Sequence, residues 1–195
     1  SEALTAPIRY RCGQMESPEV LVLGAGVIGL TAAIEALERG ARSEVWTLAP
    51  SAESTSAVAA AMWYPFLAEP RERVLAWSRA TFEVLARQAR DTPEAGVRMT
   101  RFLEVFAEEE PDVWWREIVP TTRFLPRRDV PAGFRAALEL EVPVADTRVY
   151  LPWLLARVEA LGGDIVTRRV DSLEELEGAA TRACVNCTGL GAAAL

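Results

Sequence analysis

The hexad Gly24-Ala25-Gly26-Val27-Ile28-Gly29 restricts what this chain can fold into more than any other feature. The short apolar run Val20 to Leu23 leads into it. Leu30, Ala33, Ile34 and Leu37 then repeat at helical spacing up to Gly40, a natural helix stop. Glu44 to Leu48 reads as a second strand. Strand, glycine turn, helix and strand make a βαβ unit, which predicts a parallel sheet. In that setting the first glycine permits a tight turn, the second lets backbone approach a pyrophosphate, and the third allows close helix packing. A glycine-rich turn without a ligand is the plain alternative, but the strand before and the helix after fit a dinucleotide.

The hexad does not separate FAD from NAD. An acidic residue is expected about twenty residues further on, at the end of the second strand, to bind a ribose hydroxyl. Here that region reads Val45-Trp46-Thr47-Leu48-Ala49-Pro50, with no acid. Either the ribose is left to other groups, such as Ser54, Thr55 or a backbone amide, or the affinity is weaker than usual, and an ordinary NAD dehydrogenase becomes less attractive.

Along the rest of the chain, Ala49 to Ala61 is small and polar, as befits a loop or helix start where backbone comes close to a ligand. From Pro70 to Ala89, Val74, Leu75, Trp77, Phe82, Leu85 and Ala86 predict an amphipathic packing helix. Between Val97 and Val149 short apolar stretches alternate with Pro111, Pro120, Pro126, Pro131 and Pro143, which predicts antiparallel strands and turns. Leu151 to Leu161 is helical again and ends at Gly162-Gly163, with further strands expected over Asp164 to Val170 and Arg182 to Cys187. The expected organisation is a leader or tag over 1–14, a first part of a nucleotide-binding domain over 15–95, part of a second domain over 96–150, and a return segment over 151–195. The fold class is α/β: a Rossmann-like domain with part of a mixed antiparallel sheet.

Composition removes several chemistries. All 21 basic residues are arginine and there is no histidine. Without lysine the chain cannot form a Schiff base or supply a P-loop lysine, and without histidine it cannot build a Ser-His-Asp triad or a His-type zinc site. A bound cofactor is left as the agent of chemistry. A net charge of -7 excludes a phosphate-neutralising surface, so nucleic acid is not an expected partner. The apolar run near the N-terminus is broken by Gly24, Gly26, Gly29 and Glu35, so no membrane span is read. Cys12, Cys184 and Cys187 make no disulfide framework, and a reducing, cytoplasmic compartment is expected. The pair Cys184 and Cys187 reads as structural within a buried strand, no metal site is expected, and Glu108-Glu109-Glu110 reads as a solvated turn. Amides are scarce, with only Asn186, Gln14 and Gln88, which predicts a heat-adapted source.

Three segments in this order, Val22 to Leu30 (VLGAGVIGL), Val58 to Phe66 (VAAAMWYPF) and Val185 to Gly189 (VNCTG), resemble the motifs of the D-amino-acid oxidase family. In that family an acid stands where Leu48 does, an arginine where Ala49 does, and usually a glycine where Ala61 does. The resemblance implies FAD as cofactor and oxidation of neutral D-amino acids by dioxygen to 2-oxo acids, ammonia and hydrogen peroxide. Trp63 points to neutral substrates, although both it and Tyr64 also read as core aromatics.

By the same resemblance the cofactor residues are Gly24, Ala25, Gly26, Ile28 and Gly29 at the dinucleotide, with Ser54, Thr55 and Ser56 near the pyrophosphate. Ala60, Ala61 and Met62 come beside the flavin ring, Val170 on the adenine side, and Thr188 with Gly189 closes over the cofactor. Tyr64 flanks the substrate. Family members run well beyond Leu195 and carry their carboxylate-binding arginine there, so no catalytic residue is named in this chain. A fragment, or one piece of a cleaved protein whose remainder is a separate chain, is expected. A homodimer, and a peroxisomal location in a eukaryotic source, are further expectations. A glycine- or sarcosine-type amine oxidase, and an inactive FAD-binding fragment, are the alternatives.

Overall fold

The computed structural model describes residues 17–48, 51–176 and 181–195. The expected leader over 1–14, with Cys12, and the residues Ala49 and Pro50 lie outside them. Strand β1 (Val20–Leu23) runs into helix α1 (Val27–Glu38), and β2 (Ser43–Thr47) follows. Two 3-10 turns, Ser51–Glu53 and Thr55–Val58, lead towards α2 (Arg71–Asp91). Three strands then form a second sheet: β3 (Val97–Phe106), β4 (Arg123–Phe124) and β5 (Ala136–Ala145). Helix α3 (Thr147–Ala160), β6 (Asp164–Thr167) and β7 (Ala183–Asn186) return to the first sheet.

The first sheet is parallel throughout, with strand order β6-β2-β1-β7. Alternation along its strands divides the apolar residues between two faces. Val22 and Val45 pack with Leu30 and Ala33 of α1 and Leu151, Leu154 and Val158 of α3. Leu21, Leu23 and Trp46 point to the opposite face, against Val166, Val170 and Leu176. Sheet and helices therefore bury each other's apolar surface. No helix among the described residues is long and apolar enough to cross a membrane.

The second sheet is antiparallel, in the order β3-β5-β4. Its two long strands have ten residues each, and β5 runs through Pro143, where the proline spacing predicts a break. Pro143 lies inside β5, opposite Met99 of β3. The carbonyl of Pro143 accepts the N–H of Trp63 at 3.0 Å. Because the N and C=O of one strand residue face the same edge, the missing N–H of proline falls on the Trp63 side and the β3 ladder stays whole. Helix α2 lies across both clusters, since Leu85 touches the core of each sheet. Trp77, expected on its packed face, is instead mostly exposed.

One expectation is overturned here. Cys184 and Cys187 are expected in a buried strand, but β7 ends at Asn186 and all its residues, Cys184 included, are exposed, while Cys187 just beyond it is half-buried against the first core. Among the described residues β7 pairs only with β1, so one long edge stays open. Both cysteines are free thiols, and burial pushes each thiol above its ordinary value, so neither is a ready thiolate.

Candidate functional site

The strand order places a switch point at β1. The crossover from β1 leads to β2 on one side, while the one from β6 leads to β7 on the other. Open α/β sheets bind ligands in the crevice beyond the carboxyl ends of their strands at such a point. A cavity of about 390 Å³ opens there, walled by the segments that follow β1, β2, β6 and β7.

The glycine turn shapes its floor. Gly24 has φ +104, a conformation that L side chains rarely adopt, and its N–H donates to Trp46 O at 2.7 Å. A Cβ on Gly29 would stand 1.9 Å from Gly24 O, so the first turn of α1 rests directly on the loop. Gly26 is the N-cap of α1 and has no side chain to serve as a cap. Ser56 takes that role from 29 residues away: its Oγ accepts the Val27 N–H at 3.1 Å. A Cβ on Gly26 would lie 3.0 Å from that oxygen. The first turn of α1 contains no acidic residue, so its positive end faces the cavity uncompensated.

The other walls come from distant segments. Ser54 donates its hydroxyl to Ser51 O at 2.6 Å and holds the turn after β2 closed. Beyond β7, the Asn186 side-chain oxygen accepts both the N–H and the hydroxyl of Thr188, at 3.1 and 2.7 Å, which pins Thr188 over the cavity. Beyond β6, the Arg168 guanidinium lies 3.8 Å above the centre of the Trp46 ring, and the backbone N–H of Arg168 donates to Thr47 O at 2.9 Å. Arg169 pairs with Asp171.

The structure brings together Gly24, Ala25, Gly26, Ser54, Thr55, Ser56, Val170, Thr188 and Gly189 on one cavity wall, with Gly29 packed directly behind. Ile28 does not join them. It is 71 % exposed on the outer side of α1, whereas its neighbour Val27 packs against the core. Ala60, Ala61 and Met62 also lie off the wall; Ala60 is exposed, and the next two residues pair with β5, Ala145 N–H donating to Ala61 O at 3.0 Å and Met62 bridging to Val144. Ala61 has φ +45, a region that favours glycine.

Tyr64 is half-buried, edge-on to Trp115, and donates its hydroxyl to Glu104. The other Glu104 oxygen is buried and has no partner among the described residues. Burial and the adjacent carboxylate push the Tyr64 phenol well above its ordinary range. Trp63 is a core residue: it is 6 % exposed, its indole N–H donates to Ser78 O at 2.9 Å, and it meets Phe82 and Trp115 edge-on.

Sequence reasoning missed Trp46, Glu53, Arg168, Arg169 and Asp171 on the cavity wall. The only available signal was position, since each follows or ends a strand whose carboxyl end the fold turns towards the ligand. Among the described residues no group of acidic or sulfur side chains could hold a metal ion.

A helix N-terminus with no acidic residue in its first turn, a backbone floor without side chains, serine and threonine hydroxyls and two arginines fit a diphosphate-bridged dinucleotide such as FAD. The comparisons with known proteins agree. The FAD dependent oxidoreductase family matches residues 19–195. A D-amino-acid oxidase of Rubrobacter xylanophilus is 43 % identical over 173 residues, covering 88 % of this chain and 52 % of the relative. One of Streptomyces coelicolor is 37 % identical over 175 residues, covering 89 % and 53 %. The chain thus spans about half the length of the curated relatives it matches. Among solved structures, glycine oxidase from Geobacillus kaustophilus shares the fold at TM-score 0.71 and 20 % identity, covering 91 % of this chain and 57 % of its own.

Proposed function

This chain belongs to the FAD dependent oxidoreductase family, and we propose that it is the cofactor-binding part of an oxidase that deaminates neutral D-amino acids. The observation that carries the reading is the 43 % identity to a curated D-amino-acid oxidase across 88 % of the chain. When bound, FAD supplies a two-electron acceptor for the substrate's α-carbon–hydrogen bond, with dioxygen as final oxidant and a 2-oxo acid, ammonia and hydrogen peroxide as products.

The contribution of this chain is binding and orientation. Gly24 and Gly26 would let backbone reach the diphosphate, the N-terminus of α1, free of acidic residues, would face its charge, and Arg168 would add positive charge from the segment after β6. Ser54, Thr55 and Ser56 offer hydroxyls, and Thr188, held by Asn186, covers the cavity mouth. The Ala60–Met62 segment, fixed to β5, leads from the cofactor domain into the second sheet and carries Tyr64 towards the substrate side. The core position of Trp63 supports a role in holding that segment rather than in touching substrate.

The test uses the full-length protein. Peroxide should form from D-alanine and not from L-alanine or sarcosine, and equal turnover of sarcosine or glycine would replace this reading with a glycine- or sarcosine-type amine oxidase. Reduction of bound FAD by none of them would leave a cofactor-binding module.

A further inference from the structure

At the end of β2, where the dinucleotide fingerprint places the acid that bonds the adenosine ribose, this chain has Leu48. Leu48 is 65 % exposed and can accept no hydrogen bond. Two carboxylates nonetheless stand on the wall of the same cavity, Glu53 and Asp171. They are not equivalent. Asp171 is neutralised by Arg169 and is further tied by its N–H to Glu175 at 3.1 Å. Glu53 makes no ion pair and no side-chain hydrogen bond among the described residues.

Glu53 is also held in place. It ends the 3-10 turn Ser51–Glu53, and that turn is closed twice on Ser51 O, by the Ser54 N–H at 3.1 Å and the Ser54 hydroxyl at 2.6 Å. Ser51 itself is buried, which anchors the turn to the protein. Next along the wall come Ser54, Thr55 and Ser56, the last of which is bonded to the start of α1. Glu53 therefore stands on a fixed turn of the cavity wall, exposed, and in sequence between the end of β2 and the Ser54, Thr55 and Ser56 hydroxyls.

We propose that Glu53 is the carboxylate that bonds the adenosine ribose of FAD in this chain, taking the part that a strand-end acid has in the fingerprint. The inference rests on FAD occupying this cavity. A carboxylate offers two oxygens and can accept from both ribose hydroxyls.

The experiment titrates the full-length apoprotein with FAD and with an FAD analogue lacking the adenosine 2′-hydroxyl, following flavin fluorescence. Wild type should bind FAD roughly tenfold more tightly than the analogue, as expected for one hydrogen bond to a charged group. Glu53→Ala should weaken FAD about tenfold or more and bind the two flavins equally, whereas Glu53→Gln, of the same shape and still an acceptor, should fall between. Adding Leu48→Asp to Glu53→Ala should restore the preference for FAD. Unchanged discrimination in Glu53→Ala, with FAD still bound by wild type, overturns the role of Glu53 alone. A wild type that leaves FAD free in solution overturns the cofactor assignment beneath it.

Discussion

Replacing Gly26 and Gly29 one at a time by alanine should separate ligand binding from folding. At Gly26 the backbone has φ -78 and ψ -179, which alanine adopts freely. Its Cβ would stand 3.0 Å from Ser56 Oγ and would push aside the acceptor of the Val27 N–H. Losing that hydrogen bond costs about 0.5–1.5 kcal/mol. The smaller entropy of the unfolded alanine chain offsets about 0.4–1 kcal/mol of it, so the net change in stability should be within about 1 kcal/mol of zero. The same methyl group covers the backbone that the diphosphate must approach, and FAD affinity should fall at least about tenfold, or ~1.4 kcal/mol.

At Gly29 the Cβ would meet Gly24 O at 1.9 Å and the Cys187 Cβ at 3.3 Å. The first of these is main chain and cannot rotate away, so α1 must lift from the loop, at a cost at or beyond the upper end of the roughly 1–3 kcal/mol seen for overpacking. Urea unfolding of the apoprotein followed by tryptophan fluorescence, paired with flavin titration, measures both quantities. A Gly26→Ala protein as unstable as Gly29→Ala, or one with unchanged FAD affinity, would refute this account of the turn.

Two further outcomes concern the aromatic segment. Trp63→Ala should destabilise the protein by about 3–5 kcal/mol in urea unfolding, and Trp63→Phe by less, since it keeps the contact with Phe82 but leaves Ser78 O without its donor. Tyr64 has a folded-state pKa raised above its unfolded value, so its contribution to stability is complete below about pH 10 and is lost as pH rises past the unfolded phenol. Burial raises Tyr150 as well, so the diagnostic is a difference: Tyr64→Phe should flatten, without abolishing, the loss of stability between about pH 10 and pH 11.5 measured by urea titration. An identical alkaline profile in both proteins would show that Tyr64 does not titrate with unfolding.

The parts of the fold that were legible in the sequence are those fixed by local pattern. Val20–Leu23, the glycine hexad and the helical repeat up to Gly40 lie next to one another, so β1, α1 and β2 could be read within a residue or two. The passage of β5 through Pro143 was not legible, because the partner of Pro143 is Trp63, 80 residues earlier, and only that pairing makes a proline harmless there. The exposure of β7 was illegible for a related reason: burial of Ala183-Cys184-Val185 depends on neighbours the strand does not encode. At the site, Gly24, Gly26 and Ser56 announce themselves by motif, whereas Glu53, Arg168 and Asp171 become visible only once four strand ends share one edge. Ile28 fits the motif equally well but faces outward, since helix phase, and not the hexad, decides which way it points.

The pairing of Val20 with Ala183 has a consequence for how this protein comes into being. Strand β1 lies between β2 and β7, yet one neighbour follows it within about 20 residues and the other only after about 160. At roughly 5–20 residues per second, a ribosome takes about 8–30 seconds to travel from the first strand to the last. For that interval the nascent chain carries a finished βαβ unit with one edge of β1 unpaired, and closing the long loop adds a slow, non-local step to folding. The floor of the cavity is thus made early, while Thr188 and the wall beyond β7 arrive last. A nascent chain can present the glycine turn long before it can enclose a cofactor there.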